Sequence, residues 1–109
     1  LELALFRALQ ESLTNVHRYS GSSSVDIKVT MDAQSIVLTV RDYGRGIPEE
    51  ILRNFREHGS GVGVGLSGMR ERMNELGGNL ELASDHTGTV VTATLPLSNP
   101  HGKRSISAA

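Results

Sequence analysis

Arg56-Glu57-His58-Gly59-Ser60-Gly61-Val62-Gly63-Val64-Gly65-Leu66-Ser67-Gly68 is the stretch that decides between folds. Gly59, Gly61, Gly63, Gly65 and Gly68 fall in one short window. They lead into Leu66, Met69, Met73 and Leu76, apolar residues at helical spacing. Glycines leave backbone N–H groups free to face an anion, and a helix N-terminus adds partial positive charge. The pattern predicts a phosphate cradle, although a flexible loop with no ligand would use the same residues. The hexad Gly63 to Gly68 also reads G-x-G-x-x-G. A dinucleotide fold needs a strand immediately before that motif, and residues 56–60 do not form one. It also needs a further parallel βαβ unit, for which the chain is too short. No G-x-x-x-x-G-K-[ST] occurs, and no H-R-D or D-F-G follows. The cradle therefore belongs to another architecture.

Working outward from the glycines, Ile47-Pro48-Glu49-Glu50 suits a helix start with acids in its first turn. That short helix is expected to end near Phe55, with residues 56–64 as a mobile loop. Upstream, Val25, Ile27 and Val29 alternate with Asp26, Lys28 and Thr30, as in a half-buried strand. Asp32-Ala33-Gln34-Ser35 reads as a hairpin turn, and Ile36 to Val40 as a second, more buried strand. Leu5, Phe6, Leu9, Leu13 and Val16 project onto one helical arc roughly 100° wide. That first helix starts at the first residue, which suggests material upstream. Downstream, Gly77-Gly78 closes the helix marked by Leu66, Met69, Met73 and Leu76, in which Met69 and Met73 read as core packing. Leu80 and Leu82 mark a third strand, and Gly88 opens a fourth from Val90 to Leu95, ended by Pro96. The order is helix, two strands, short helix, loop, helix, two strands. It predicts an α/β (α+β) two-layer sandwich, a sheet with helices on one face. Residues 1–97 form the domain, and 98–109 read as a disordered tail.

Composition narrows the function. The chain has 109 residues, 11 Lys+Arg and 12 Asp+Glu, for a net charge of -1. Such a balance gives no broad field to draw nucleic acid or an anionic membrane. Cysteine is absent, which removes thiol catalysis and Cys-based zinc sites. No apolar run approaches the roughly 18 residues of a membrane span. His17, His58, His86 and His101 match no metal-site spacing and read as surface residues.

Two further groups carry chemistry. Glu11, Asn15 and Arg18 are spaced i, i+4 and i+7, within about 60° of one another on a helix. On this projection they face away from the apolar arc. A carboxylate, an amide oxygen and a guanidinium on one face can serve Mg²⁺ and phosphate together, since Mg²⁺ keeps several waters and needs few protein oxygens. A solvated helix face would look the same. Asp42-Tyr43-Gly44-Arg45-Gly46 directly follows a buried strand. Its aspartate can accept a hydrogen bond from an exocyclic amine such as adenine's, and its glycines let the backbone approach a flat ring. An ordinary turn would use the same residues.

Together, and in this order, the three groups resemble the ATP-binding domain of sensor histidine kinases. That domain has the Bergerat fold, a two-layer sandwich with a mixed sheet, shared with DNA gyrase, Hsp90 and MutL. Leu5 to Asn15 resembles the N box, and Asp42 to Gly46 the D-x-G-x-G of the G1 box. Gly63 to Arg72 resembles the G2 box, and Gly88-Thr89 the final G-T element. Gly-Leu-x-Gly-Met-x-Glu-Arg from Gly65, with a later Leu-Gly-Gly, is most similar to the nitrate-sensor-like subfamily.

The resemblance implies that ATP and Mg²⁺ are the cofactors. Asn15 would hold Mg²⁺, and Glu11 would orient a metal-bound water or assist proton transfer. Arg18 would reach phosphate, and Asp42 would read the adenine amine with support from Thr89. Gly44 and Gly46 would shape the adenine wall. Gly63 and Gly65 would lie under the phosphates, with Gly61 and Leu66 beside them and residues 56–62 as a lid. The sequence departs from the family at Tyr19, where the N box commonly has histidine. The phosphoacceptor histidine and its dimerising helices are not in this stretch. The implied partners are that domain and a response regulator with a LuxR-type DNA-binding domain; this domain itself would touch neither nucleic acid nor membrane. It would work in the cytoplasm, whether or not its parent is membrane-anchored. A serine protein kinase or ATPase of the same superfamily, and a non-catalytic nucleotide-binding module, are the alternatives.

Overall fold

The computed structural model describes residues 2–17, 21–58 and 64–97. Seven elements follow one another: α1 (Glu2–Asn15), β1 (Val25–Met31), β2 (Ser35–Asp42), α2 (Glu49–His58), α3 (Val64–Glu75), β3 (Asn79–Asp85) and β4 (Gly88–Pro96). The element order is the one expected. The strands form one sheet in the order β1-β2-β4-β3, and all three described pairings are antiparallel, with no parallel pair among them.

Register explains the two layers. Leu38 lies opposite Ala93, Val40 opposite Val91 and Ile36 opposite Leu95. Leu80 pairs with Ala93 and Leu82 with Val91. Paired residues share a face, so the alternation of apolar and polar residues puts one apolar face under the helices. Phe55 and Leu52 from α2 and Leu66 and Met73 from α3 complete that core. The Asp32 turn joins β1 to β2 with its own carboxylate: Oδ1 accepts from Gln34 N–H and Ser35 N–H at 2.8 and 2.9 Å. Those two bonds hold the Asp32 carboxyl below its ordinary pKa. The α3 helix ends as its glycines require, with Gly78 N–H donating to Met73 O at 2.8 Å.

The structure corrects the sequence reading at several points. The α1 helix buries Ala4, Ala8 and Ser12, while Leu5, Leu9 and Leu13 are only partly buried. Phe6 is 55% exposed. The helix is therefore rotated by about 100° from the arc drawn through its large residues. Small side chains at i, i+4 and i+8 let its backbone come close to the sheet and α3. Ser12 is tolerated there because its hydroxyl donates to Ala8 O at 2.8 Å. The β1 strand is also more exposed than expected: Ile27 is 47%, Val29 57% and Met31 66% exposed. Their partners Val40, Leu38 and Ile36 lie on the core face, so these three do too. The helices pack over β2, β4 and β3 and stop short of the β1 edge. The α2 helix runs to His58, beyond Phe55, because Arg70 from α3 caps its end. One Arg70 amine donates to Phe55 O and the other to Arg56 O, the latter at 3.0 Å, and the guanidinium lies 5.1 Å from the Phe55 ring centre. Residues 56–58, read as loop, are thus helical. Leu76, which marks the same helix as Leu66 and Met73, is 42% exposed. The first residues of the expected 56–62 lid are thus part of α2; its remainder, at 59–62, and the tail at 98–109 lie outside the described residues.

Candidate nucleotide site

At one end of the sheet the apolar row Val40–Val91–Leu82 gives way to a polar one. The β2 and β4 strands continue in register so that Asp42 lies beside Thr89, and Thr89 pairs with Ser84 on β3. All three stand on the core face. Asp42 is only 5% exposed. Its Oδ1 accepts from Gly44 N–H at 2.9 Å, closing an Asx turn, and from Thr89 N–H at 3.2 Å. Both protein donors go to Oδ1, so Oδ2 has no partner among the described residues. A buried carboxylate oxygen without a donor is costly unless a ligand or water supplies one.

That carboxylate lines a narrow cavity. Ser12, Asn15 and Val16 from α1, Val40 and Asp42 from β2, and Gly46 and Ile47 beyond it form part of the wall. Leu66 from α3 and Thr89 and Val91 from β4 complete it. The space inside is about 40 Å³, which suits a water or two. A purine ring is larger than this space. A roomier groove, about 660 Å³, runs between α1 and α3, but its charged residues Arg7, Glu71, Arg72 and Glu75 are exposed. Of the site residues the sequence pointed to, it contains only Gly68 from the glycine cluster, so its size does not make it the site.

The structure brings Asn15, Asp42, Gly46, Leu66 and Thr89 to one cavity. Gly44 joins them through its bond to Asp42. The α1 rotation turns Asn15 inward, not away from the buried face as the projection implied. Glu11, one turn earlier, is half-buried and is not among the lining residues. Neither side chain has a hydrogen bond or ion pair among the described residues, and no cluster of three acidic or histidine side chains surrounds them there. Gly65 sits in the first turn of α3, next to Leu66. Gly68 faces open space and the α1–α3 groove, which removes it from the cradle. Arg18, Gly61 and Gly63 lie outside the described residues. His17, His58 and His86 are exposed.

Two glycines also permit close backbone contact. Gly46 has φ +81°, and a Cβ there would sit 2.0 Å from Asp85 O. Gly88 has φ +145°, and its Cβ would sit 2.1 Å from Asp42 O. Each allows the loop after β2 to touch the β3–β4 turn backbone to backbone. The turn has its own brace: Asp85 Oδ1 accepts from Thr87, at 2.8 Å from the amide and 2.5 Å from the hydroxyl, and this holds its carboxyl low. On the other side, Tyr43 N–H donates to Ser22 Oγ at 3.1 Å and its hydroxyl donates to Asp26 on β1. That carboxylate partner pushes the Tyr43 phenol up from its ordinary value.

Sequence reasoning missed Ser84. Its Oγ accepts from Ile47 N–H at 2.7 Å and lies 2.8 Å from Thr89 Oγ1. The signal was available: Leu80, Leu82 and Ser84 alternate onto one face, so a hydroxyl stands where a core residue was due.

Residues 1–99 match the family described as histidine kinase-, DNA gyrase B- and HSP90-like ATPases. The chain is 34% identical over 94 residues to the signal transduction histidine-protein kinase/phosphatase UhpB of Salmonella typhimurium, covering 86% of this chain and 17% of that protein. It is 36% identical to the sensor histidine kinase MctS of Rhizobium johnstonii, covering 87% of this chain and 20% of the relative. The oxygen sensor histidine kinase NreB of Staphylococcus carnosus is 28% identical over 91% of this chain and 27% of its own length. The chain thus spans about a fifth of the length of such relatives. The histidine kinase domain of the blue-light activated kinase EL346 of Erythrobacter litoralis superposes with a TM-score of 0.70 at 28% identity, over 86% of this chain and 46% of that one. Acinetobacter baumannii AdeS, at 21% identity and a TM-score of 0.71 over 88% and 47% of the two chains, shares the fold. A two-layer sandwich, a buried carboxylate with one open oxygen and this family match agree: the chain belongs to the histidine kinase-, DNA gyrase B- and HSP90-like ATPase family, as a histidine kinase-type ATPase domain.

Proposed function

We propose that this domain binds Mg²⁺-ATP and supplies the γ-phosphoryl group to a histidine on a separate helical domain of a two-component sensor kinase. The observation that carries the reading is Asp42: a buried carboxylate with Oδ2 open toward a cavity is matched to a ligand amine. Adenine offers such an amine, and Val40, Ile47, Leu66 and Val91 provide apolar walls for a ring. Asn15, inward-facing and without a protein partner among the described residues, suits a Mg²⁺ ion held mostly by phosphates and water. Glu11 stands one turn away, placed for a metal-bound water. Gly65 and the α3 N-terminus would face the phosphates, with Gly61, Gly63 and Arg18 completing their surroundings. Bound Mg²⁺ would neutralise charge on the phosphates, while these residues position them. The similarity to UhpB and NreB supports a place in the nitrate-sensor-like subfamily. Its response regulator would carry a LuxR-type DNA-binding domain, and the domain would work in the cytoplasm. Among the described residues no helix is long and apolar enough to cross a membrane.

The test has two parts. Calorimetry should show Mg²⁺-ATP binding to the chain, weakened about 10- to 100-fold in Asp42→Asn, as expected for losing a charge-assisted hydrogen bond. Labelled ATP with a separately made phosphoacceptor domain should give an acid-labile, base-stable label on that domain. Unchanged affinity in Asp42→Asn, or no nucleotide binding, would defeat the reading.

A further inference from the structure

We infer that Ser84 is a specificity-positioning residue: it fixes the direction of the Thr89 hydroxyl so that the cavity presents only acceptors to a purine's 6-position. The inference rests on the reading of Asp42 as the base-binding carboxylate, and goes beyond it. Ser84 Oγ has three partners: Ile47 N–H at 2.7 Å, Gly88 O at 3.2 Å and Thr89 Oγ1 at 2.8 Å. A serine hydroxyl has one proton and two lone pairs. Ile47 N–H can only donate, so it takes one lone pair. Gly88 O can only accept, so it takes the proton. The remaining lone pair must accept from Thr89. The Thr89 proton is thereby committed to Ser84, and Thr89 Oγ1 keeps only acceptor capacity.

Both Thr89 and Asp42 line the cavity. The Asp42 Oδ2 is an acceptor as well, so the polar end of the cavity holds two acceptors and no hydroxyl donor from this pair. An exocyclic amine has two protons to give. A 6-oxo group has none, and would bring a third oxygen lone pair against the first two. The site so arranged accepts an aminopurine and rejects its oxo counterpart. The close approach of the two loops at Gly46 and Gly88 keeps Ile47 and Gly88 in place as partners of Ser84. Ser84 is half-buried on the β3 edge and is not itself a lining residue; it reaches the cavity through its bonds to Thr89 and Ile47.

The experiment is a calorimetric comparison of Mg²⁺-ATP with Mg²⁺-ITP, which differs in carrying the 6-oxo group, on the wild-type chain, Ser84→Ala and Ser84→Thr. Wild type should prefer ATP by about tenfold or more, the scale of one mismatched buried hydrogen bond. In Ser84→Ala the freed Thr89 hydroxyl can donate to a 6-oxo oxygen. ATP affinity should then fall by only about threefold while the ATP/ITP ratio drops severalfold, to the part that Asp42 alone supplies. Ser84→Thr, which keeps the hydroxyl, should restore the ratio. A Ser84→Ala protein that folds and keeps the wild-type ratio overturns the inference, whatever its melting temperature. Should that variant not fold, Thr89→Val must lower the ATP/ITP ratio severalfold, and an unchanged ratio is equally decisive. A wild type that binds ATP and ITP alike removes the underlying reading of Asp42, and with it this one. That result is told apart because it precedes any variant.

Discussion

Glycine has opposite meanings at Gly88 and Gly68. At Gly88 a Cβ would press into the Asp42 carbonyl oxygen at 2.1 Å with φ at +145°. Backbone cannot yield as a flexible side chain does, so Gly88→Ala should lower the melting temperature sharply, by more than about 5 °C. At Gly68, inside α3, nothing lies within 4 Å of an added Cβ. Gly68→Ala should raise stability by up to about 1 kcal/mol, through helix propensity alone. Thermal melts of the two variants beside wild type check both signs. The sequence shows only a glycine at each position and cannot separate these cases, because the difference lies in what stands opposite each residue. Asp42 was legible for the converse reason. A carboxylate directly after a run of core-facing residues must either be buried with partners or mark the end of burial, and here it does both.

Elements were legible where side-chain size and burial agree. The β2 and β4 strands bury their large alternate residues, so periodicity located them. The α1 helix deceives because its closest contacts are made by its smallest residues, Ala4, Ala8 and Ser12. A hydrophobic projection weights Leu and Phe, whereas helix approach is set by what is absent from the side chain. Reading the small-residue stripe would have turned Asn15 toward the cavity at once. The end of α2 was misplaced for another reason: its cap comes from α3, fourteen residues downstream of Arg56. Arg70→Met should therefore fray α2 while leaving the α3 backbone intact. We expect a stability loss of about 1–2 kcal/mol, the scale of charge-assisted bonds in a partly solvated setting. Amide exchange should speed up at residues 55–58 more than at residues 68–74, measured by mass spectrometry on wild type and variant.

At the scale of the whole molecule, protection should follow the helical cover. The β4 strand pairs on both sides and lies beneath helices, whereas, among the described residues, β1 pairs only with β2 and lies beyond the main helical cover. Amide exchange should be slowest in β4 and fastest in β1, by orders of magnitude, as expected when an edge opens without breaking the core. Equal protection across the four strands would mean that something covers β1. The alternation Val25, Ile27, Val29 located the strand and its inward face, since those residues do pair with the core row. It could not reveal exposure, because a strand's neighbours above the sheet are set by distant helices.

The sheet order has a further consequence for how the chain matures. The β4 strand is the last of the described elements to be synthesised, yet it sits between β2 and β3, both made earlier. Until residues 88–96 emerge, a nascent chain has the β1–β2 hairpin, three helices and a lone β3, with no lateral partner to join them. Asp42 would lack Thr89, and Leu38 and Val40 would lack Ala93 and Val91. Synthesis must therefore run nearly to the end of the domain before the core closes, and closure comes in one late, cooperative step built from long-range contacts. The nucleotide pocket and the hydrophobic core would then be born together.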